Sequence, residues 1–95
     1  MIAVIATIRT KEGTGAQFEA AFAPLAAAVN ANEPGNHLYR LTRVTTEPDL
    51  YKVLEIYENQ EAVEAHRAAA HFKELGAALG PFMAGRPEIE RLDAL

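Results

Sequence analysis

Apolar and polar positions alternate most cleanly from Leu50 to Tyr57. Successive side chains in a strand point to opposite faces. Tyr51, Val53, Glu55 and Tyr57 therefore share one face, and Leu50, Lys52, Leu54 and Ile56 the other. An acid and two phenols on a common face with an apolar neighbour make this strand the first place to look for proton chemistry. Ile2 to Arg9 also reads as a strand, with Ile2, Val4 and Ile8 on one face and Ala3 and Ile5 on the other. Being apolar on both faces, it suits a central position covered on two sides. From His37 to Thr45 the pattern sets His37, Tyr39, Leu41 and Arg43 against Leu38, Arg40, Thr42 and Val44. The short loop at Thr46 to Asp49 requires this strand to pair antiparallel with the next. A last strand over about Arg86 to Leu92 has Pro87 near its start, which confines it to a sheet edge or to the strand's first residue.

Between the strands the period lengthens to that of a helix. Phe18, Phe22, Leu25 and Val29 form one stripe. Thr14-x-x-Gln17 reads as a capping box that starts this helix at about Gly15, and Pro24 within it predicts a bend near Ala20. Glu33-Pro34-Gly35-Asn36 reads as a turn in which glycine supplies a positive φ. Asn59 is the expected cap of a second helix whose inward stripe includes Ala62, Val63 and His66. Ala68-Ala69-Ala70 is compatible with helix, and a further helical piece from His71 to Leu79, carrying Phe72 and Leu75, ends at Gly80-Pro81. The order is β, α, β, β, α, β in one domain over residues 1–95. Two helices cover only one face of four strands, so the apolar far side of the first strand calls for a partner, most economically a second copy of the chain.

Composition narrows the chemistry. Nine Lys plus Arg against 13 Asp plus Glu give a net charge of −4, with no basic stripe for nucleic acid. No cysteine is present, which excludes disulfides, thiolate metal sites and a cysteine nucleophile, and the absence of serine excludes a Ser-His-Asp hydrolase. The apolar start lacks a basic leader and a small-residue cleavage site, and no run approaches the roughly 18 residues of a membrane span. A soluble, cytoplasmic protein is expected.

Three histidines remain, the side chains whose unperturbed pKa lies nearest neutrality. His66 and His71 are five apart, about 140° around a continuous helix. They do not chelate one metal from an unbroken helix, and no metal site is expected. If the helix breaks near Ala70, both imidazoles approach one cavity. Glu55 either pairs across the sheet with Arg40 or Arg43, or sits partly desolvated as a proton-transfer group. Tyr39 and Tyr57 either pack or line a pocket for a planar aromatic ligand. His37 is either exposed or at the mouth of that pocket.

The pieces Val4-Ile5-Ala6-Thr7-Ile8-Arg9-Thr10, Glu33-Pro34-Gly35-Asn36, Glu55-Ile56-Tyr57, and Glu61-Ala62-Val63-Glu64-Ala65-His66 followed by His71-Phe72, in this order and spacing, resemble the antibiotic biosynthesis monooxygenase family. The resemblance implies a ferredoxin-like protomer with an antiparallel four-stranded sheet, paired into a dimeric α+β barrel. It further implies cofactor-independent oxidation of a quinol or anthrone-like phenol by O2, in which the deprotonated substrate itself donates an electron to O2. Carried over by position, His66, His71 and Glu55 are the acid and base candidates, and Tyr39, Tyr57, Phe72 and His37 the substrate-binding ones. The Asn, Trp and His of haem-degrading relatives fall on Ala6, His66 and Gly76, so haem degradation is not expected. Two other functions fit the resemblance: an isomerase or lyase acting on a small signal or sugar-like metabolite, and a non-catalytic ligand-binding barrel.

Overall fold

The computed structural model describes residues 1–95. Strand β1 (Ile2–Arg9) leads to helix α1 (Gly15–Asn32), then strands β2 (Asn36–Arg43) and β3 (Leu50–Tyr57). Helices α2 (Gln60–Ala68) and α3 (Ala70–Ala77), a single 3₁₀ turn (Gly80–Phe82) and strand β4 (Glu88–Asp93) complete the chain. The sheet is antiparallel throughout, in the order β2-β3-β1-β4. This is the ferredoxin-like βαββαβ arrangement expected. β1 is internal, as its two apolar faces require, and β4 is an edge strand that begins just after Pro87.

The register decides what meets on each face. Tyr39, Glu55, Val4 and Arg91 form one cross-strand row, and Leu41, Val53, Ala6 and Ile89 the next. Both rows face the helices. On this side Val4, Ala6, Ile8, Tyr51, Val53, Glu55 and Tyr57 are all buried. The α1 stripe of Phe18, Phe22, Leu25 and Val29 packs with Ala6, Ile8, Tyr51 and Val53 in one core cluster, Val4 and Tyr57 pack with Val63 in a second, and each side chain of this size stabilises by about 1.5–3 kcal/mol when fully buried. Phe18 lies 4.9 Å from Tyr51 between ring centroids, and Phe22 stacks on Tyr39 at 5.7 Å. No helix is long and apolar enough to cross a membrane.

Three local expectations need amendment. Thr14 does not cap α1, because its hydroxyl donates to the carbonyls of Lys11 and Phe82 at 2.7 and 3.3 Å instead. Gly35 has no positive φ; that conformation belongs to Gly13 and Gly85. Position 35 requires glycine for a different reason, since a Cβ there would lie 2.6 Å from Cβ of Ala62 on α2. The alanine run does interrupt the helix, but at Ala69, whose extended backbone (φ −64°, ψ 137°) ends α2 and starts α3. Asn59 caps α2 as expected, accepting the Ala62 N–H at 2.9 Å.

Candidate functional site

Between the helices and the sheet lies a cavity of about 570 Å³. Its walls are mostly apolar: Val4, Ala6 and Ile8 from β1, Phe22 and Leu25 from α1, Val63 from α2, Phe72 from α3, and Leu79 and Met83 beyond it. It reaches Pro87 and Ile89 where no helix covers β4. The polar residues in the wall are few and are drawn together. Tyr39, Glu55, Tyr57 and His66 all line it, with the cations Arg67 and Lys73 contributed by α2 and α3.

His66 is held on every side. Its ring lies 5.3 Å from Tyr39, 5.5 Å from Tyr57 and 4.4 Å from Phe72 between centroids. Its Nδ1 is 3.0 Å from both carboxylate oxygens of Glu33. A bond of this kind places the ring proton on Nδ1 and leaves Nε2 as an acceptor. Glu33 also takes a second imidazole, His71, whose Nε2 is 2.5 Å from Oε2. His66 and Glu33 side chains are 7% and 9% exposed and His71 21%, so the three run from a sealed interior toward solvent.

Glu33 owes this position to the proline after it. A residue before proline is pushed out of the helical region. At the end of α1 Glu33 adopts φ −117°, ψ 89°, and the chain turns back over α2 through Pro34 and Gly35. The break at Ala69 completes the arrangement. Two rings that would diverge by about 140° on one helix converge on one carboxylate from two.

Glu55 sits opposite Tyr39 across the sheet and accepts a 2.6 Å bond from the Tyr57 hydroxyl through Oε1. Neither Arg40 nor Arg43 pairs with it; Arg43 instead reaches Glu19, which also accepts from Tyr51. Burial pushes the Glu55 carboxyl up to about 7, assisted by the charge of Glu33 and opposed by the Tyr57 bond and by Arg67. Burial, then the Glu55 and Glu33 charges, raises Tyr39 above the ordinary phenol range. Burial and Glu55 do the same to Tyr57, so both stay protonated donors at neutral pH. Nε2 of His66, the Tyr39 hydroxyl and Oε2 of Glu55 have no partner within the protein. No buried side-chain nitrogen or oxygen is left unsatisfied. These three atoms therefore open onto the cavity, where they can meet a ligand's hydroxyl or carbonyl groups.

Of the residues singled out in the sequence, His66, Glu55, Tyr39, Tyr57 and Phe72 line the cavity and His71 and His37 do not. His71 stands behind His66 on the far side of Glu33. His37 is exposed and pairs with Glu58, so its place among the substrate-binding candidates is withdrawn. His37 lies within a register shift between Asn36 and Leu38, which takes it out of the alternation that the pattern suggested. Glu33 was missed. Its one signal was an acid at the C-terminal end of an 18-residue helix, where the helix dipole disfavours negative charge. His66, Glu33 and His71 are spaced as hydrogen-bond partners, and no group of three His, Cys, Asp or Glu side chains has the geometry to hold a metal ion.

Fold and site together define a small ferredoxin-like α+β protein with a mostly apolar cavity and a histidine, a carboxylate and two phenols in its wall. The family model for antibiotic biosynthesis monooxygenase matches residues 1–78, and the chain belongs to that family. Among solved structures, a candidate antibiotic biosynthesis monooxygenase from Caulobacter crescentus is 50% identical, with a TM-score of 0.94 over 99% of this chain and 89% of the other. A candidate antibiotic biosynthesis monooxygenase from Nitrosomonas europaea is 20% identical, with a TM-score of 0.90 over 100% and 99% of the two chains, and it speaks to the fold alone. No curated protein matches the sequence.

Proposed function

We propose that this protein is a cofactor-independent monooxygenase that oxidises a quinol or anthrone-like phenol with O2, and that it works as a homodimer. The observation that carries the reading is Nε2 of His66, open to an apolar cavity while Nδ1 is held by the buried Glu33 carboxylate. A base so oriented accepts the substrate's acidic proton, and the Tyr39 hydroxyl donates to the oxygen that becomes anionic. The carbanion or phenolate then passes one electron to O2, and the radical pair joins in a carbon–oxygen bond. Loss of water from the resulting hydroperoxide converts the CH2 of an anthrone, or the CH of a phenol ring, to a carbonyl. One O2 yields one carbonyl and one water, with no external reductant. Glu55, whose carboxyl burial raises to about 7, protonates the departing oxygen in this reading. Phe72, Tyr57 and the apolar walls exclude water and hold a planar substrate.

Oxygen uptake with anthrone and with 1,4-naphthohydroquinone tests the reading. Wild-type protein is expected to exceed the no-protein blank, and His66→Gln to lose at least about tenfold of that excess, since a positioned base contributes about 10²- to 10⁴-fold. Substrates that bind and raise the melting temperature while uptake stays at the blank rate would instead identify a ligand-binding barrel.

A further inference from the structure

Two cations stand in the wall of a mostly apolar cavity, and no acid of the chain pairs with either. Among the charged side chains that line it, Glu55 is the one carboxylate, set against Arg67 and Lys73. The chain as a whole has the opposite balance, with 13 Asp plus Glu to nine Lys plus Arg and a net charge of −4. The cavity therefore reverses the sign of the protein around it.

Local sequence keeps both cations free. On a helix a side chain meets those three and four positions away. For Lys73 these are Ala69, Ala70, Gly76 and Ala77, none of them acidic. Arg67 has Glu64 within that range, yet the ion pairs of the chain involve only Arg9, Arg43 and the three histidines. The guanidinium of Arg67 acts instead on Glu55, whose charge it favours. Each cation follows an inward ring by one residue, about 100° around its helix. Arg67 comes after His66 and Lys73 after Phe72, and those two rings are 4.4 Å apart. Both cations are exposed while still lining the cavity, which places them at its rim.

We propose that the cavity selects an aromatic ligand bearing a carboxylate, held at the rim by Arg67 and Lys73 while the rings fill the apolar interior and a hydroxyl meets His66 and Tyr39. The inference rests on the cavity being the phenol site of the proposed function, and it narrows the substrate class to a phenolic or quinol carboxylic acid. A guanidinium presents paired donors to a planar carboxylate, and an ammonium adds a point charge. Glu55 sets the orientation. It repels a carboxylate placed beside it, so the ligand's acid belongs at the rim and its hydroxyl toward the sheet. Glu33 is already engaged by His66 and His71. An exposed ion pair alone contributes little. Rings fixed in the cavity hold the carboxylate in place beforehand, which removes much of the ordering cost that makes such pairs weak.

The probes are 6-hydroxy-2-naphthoate and 6-hydroxy-2-naphthamide, which share rings, hydroxyl and shape and differ in charge at the far end. The chain has no tryptophan, so naphthol fluorescence reports binding without overlap. In low salt, wild type is expected to bind the acid at least about fivefold more tightly than the amide, the worth of a charge-assisted bond discounted for screening at the rim. That preference should shrink as salt is raised to about 0.5 M. Arg67→Gln combined with Lys73→Gln is expected to bring the acid down to the affinity of the amide and to leave the amide unchanged. Equal affinities in wild type overturn this proposal and leave the cavity standing as a phenol site. A preference that survives in the combined variant overturns the assignment to these two cations. If neither probe binds, the phenol site falls as well. A preference lost in the variant, in a protein whose oxygen uptake stays at the blank rate, upholds this inference and removes the monooxygenase alone. Glutamine is a good helix former. Circular dichroism confirms the fold, and the two single variants replace the combined one if it does not fold.

Discussion

Glu55 carries a cost that its neighbours only partly relieve. The Tyr57 hydroxyl and Arg67 favour its charge, but burial outweighs them and moves the carboxyl from 4.5 to about 7. Between those values the folded chain holds a proton that the unfolded chain has lost. Stability therefore falls as pH rises through that window, and the loss levels off above about 7. The displacement corresponds to roughly 3 kcal/mol at most. Glu55→Gln keeps an acceptor for Tyr57 and removes the penalty. Thermal unfolding should show the variant melting above wild type at about pH 9 and the two converging at about pH 5. A variant that melts lower at the alkaline end would mean that the carboxylate is compensated by a partner. The same residue is where the proposed chemistry needs a proton that moves near neutrality, so one substitution separates a gain in stability from a loss in turnover.

At the level of elements, the site depends on how closely α2 approaches the turn after α1. Gly35 permits that approach, because any side chain there meets Ala62 at 2.6 Å. Gly35→Ala is expected to cost about 1–3 kcal/mol in urea unfolding, the usual penalty for overpacking. It should also loosen the contact between Glu33 and His66, seen as weakened binding of a phenol even where the protein is folded. Gly76 offers the contrast. It lies near the end of α3 with nothing within 4 Å of an added Cβ. Gly76→Ala is expected to stabilise by about 0.5–1 kcal/mol through helix propensity alone. Equal effects of the two alanines would show that the α2 contact does not matter.

At the scale of the whole molecule, the sheet has one face without a layer. Leu38, Ile56, Ala3 and Leu92 form an apolar row across all four strands on that side, and Leu38 and Leu92 are 40% and 38% exposed. The next rows become progressively polar, through Arg40, Leu54, Ile5 and Glu90 to Thr42, Lys52, Thr7 and Glu88. A second protomer laid on the apolar row would bury it, and an obligate interface of this kind removes more than about 2,000 Å² from water. Sedimentation at micromolar concentration should give twice the 10.3 kDa protomer mass. Leu38→Glu, at a position already exposed in the protomer, should shift the mass toward the monomer without loss of helix. A monodisperse wild-type monomer would remove the homodimer from the proposed function.

The hydrophobic pattern by itself determined the order of strands and helices, the buried face of β3 and the stripe of α1, because the period of a segment records which of its sides is sealed from water. It also determined that β1 lies inside the sheet, whereas Pro87 left β4 either at an edge or starting at the proline, and the sheet order decided for the edge. Five of the seven candidate residues reached the cavity for the same reason: Glu55, Tyr39, Tyr57, His66 and Phe72 each lie on a face whose apolar neighbours require burial. Only the tertiary structure decided what those faces meet. Glu33 reads as the end of a helix until Pro34 turns it under α2. Ala69 reads as helix until packing selects its extended conformer. His37 reads as a strand residue of the inner face until the register shift beside it leaves it in solvent. In each case the local sequence permits more than one backbone conformation at little difference in energy, and contacts between elements distant in the chain choose among them.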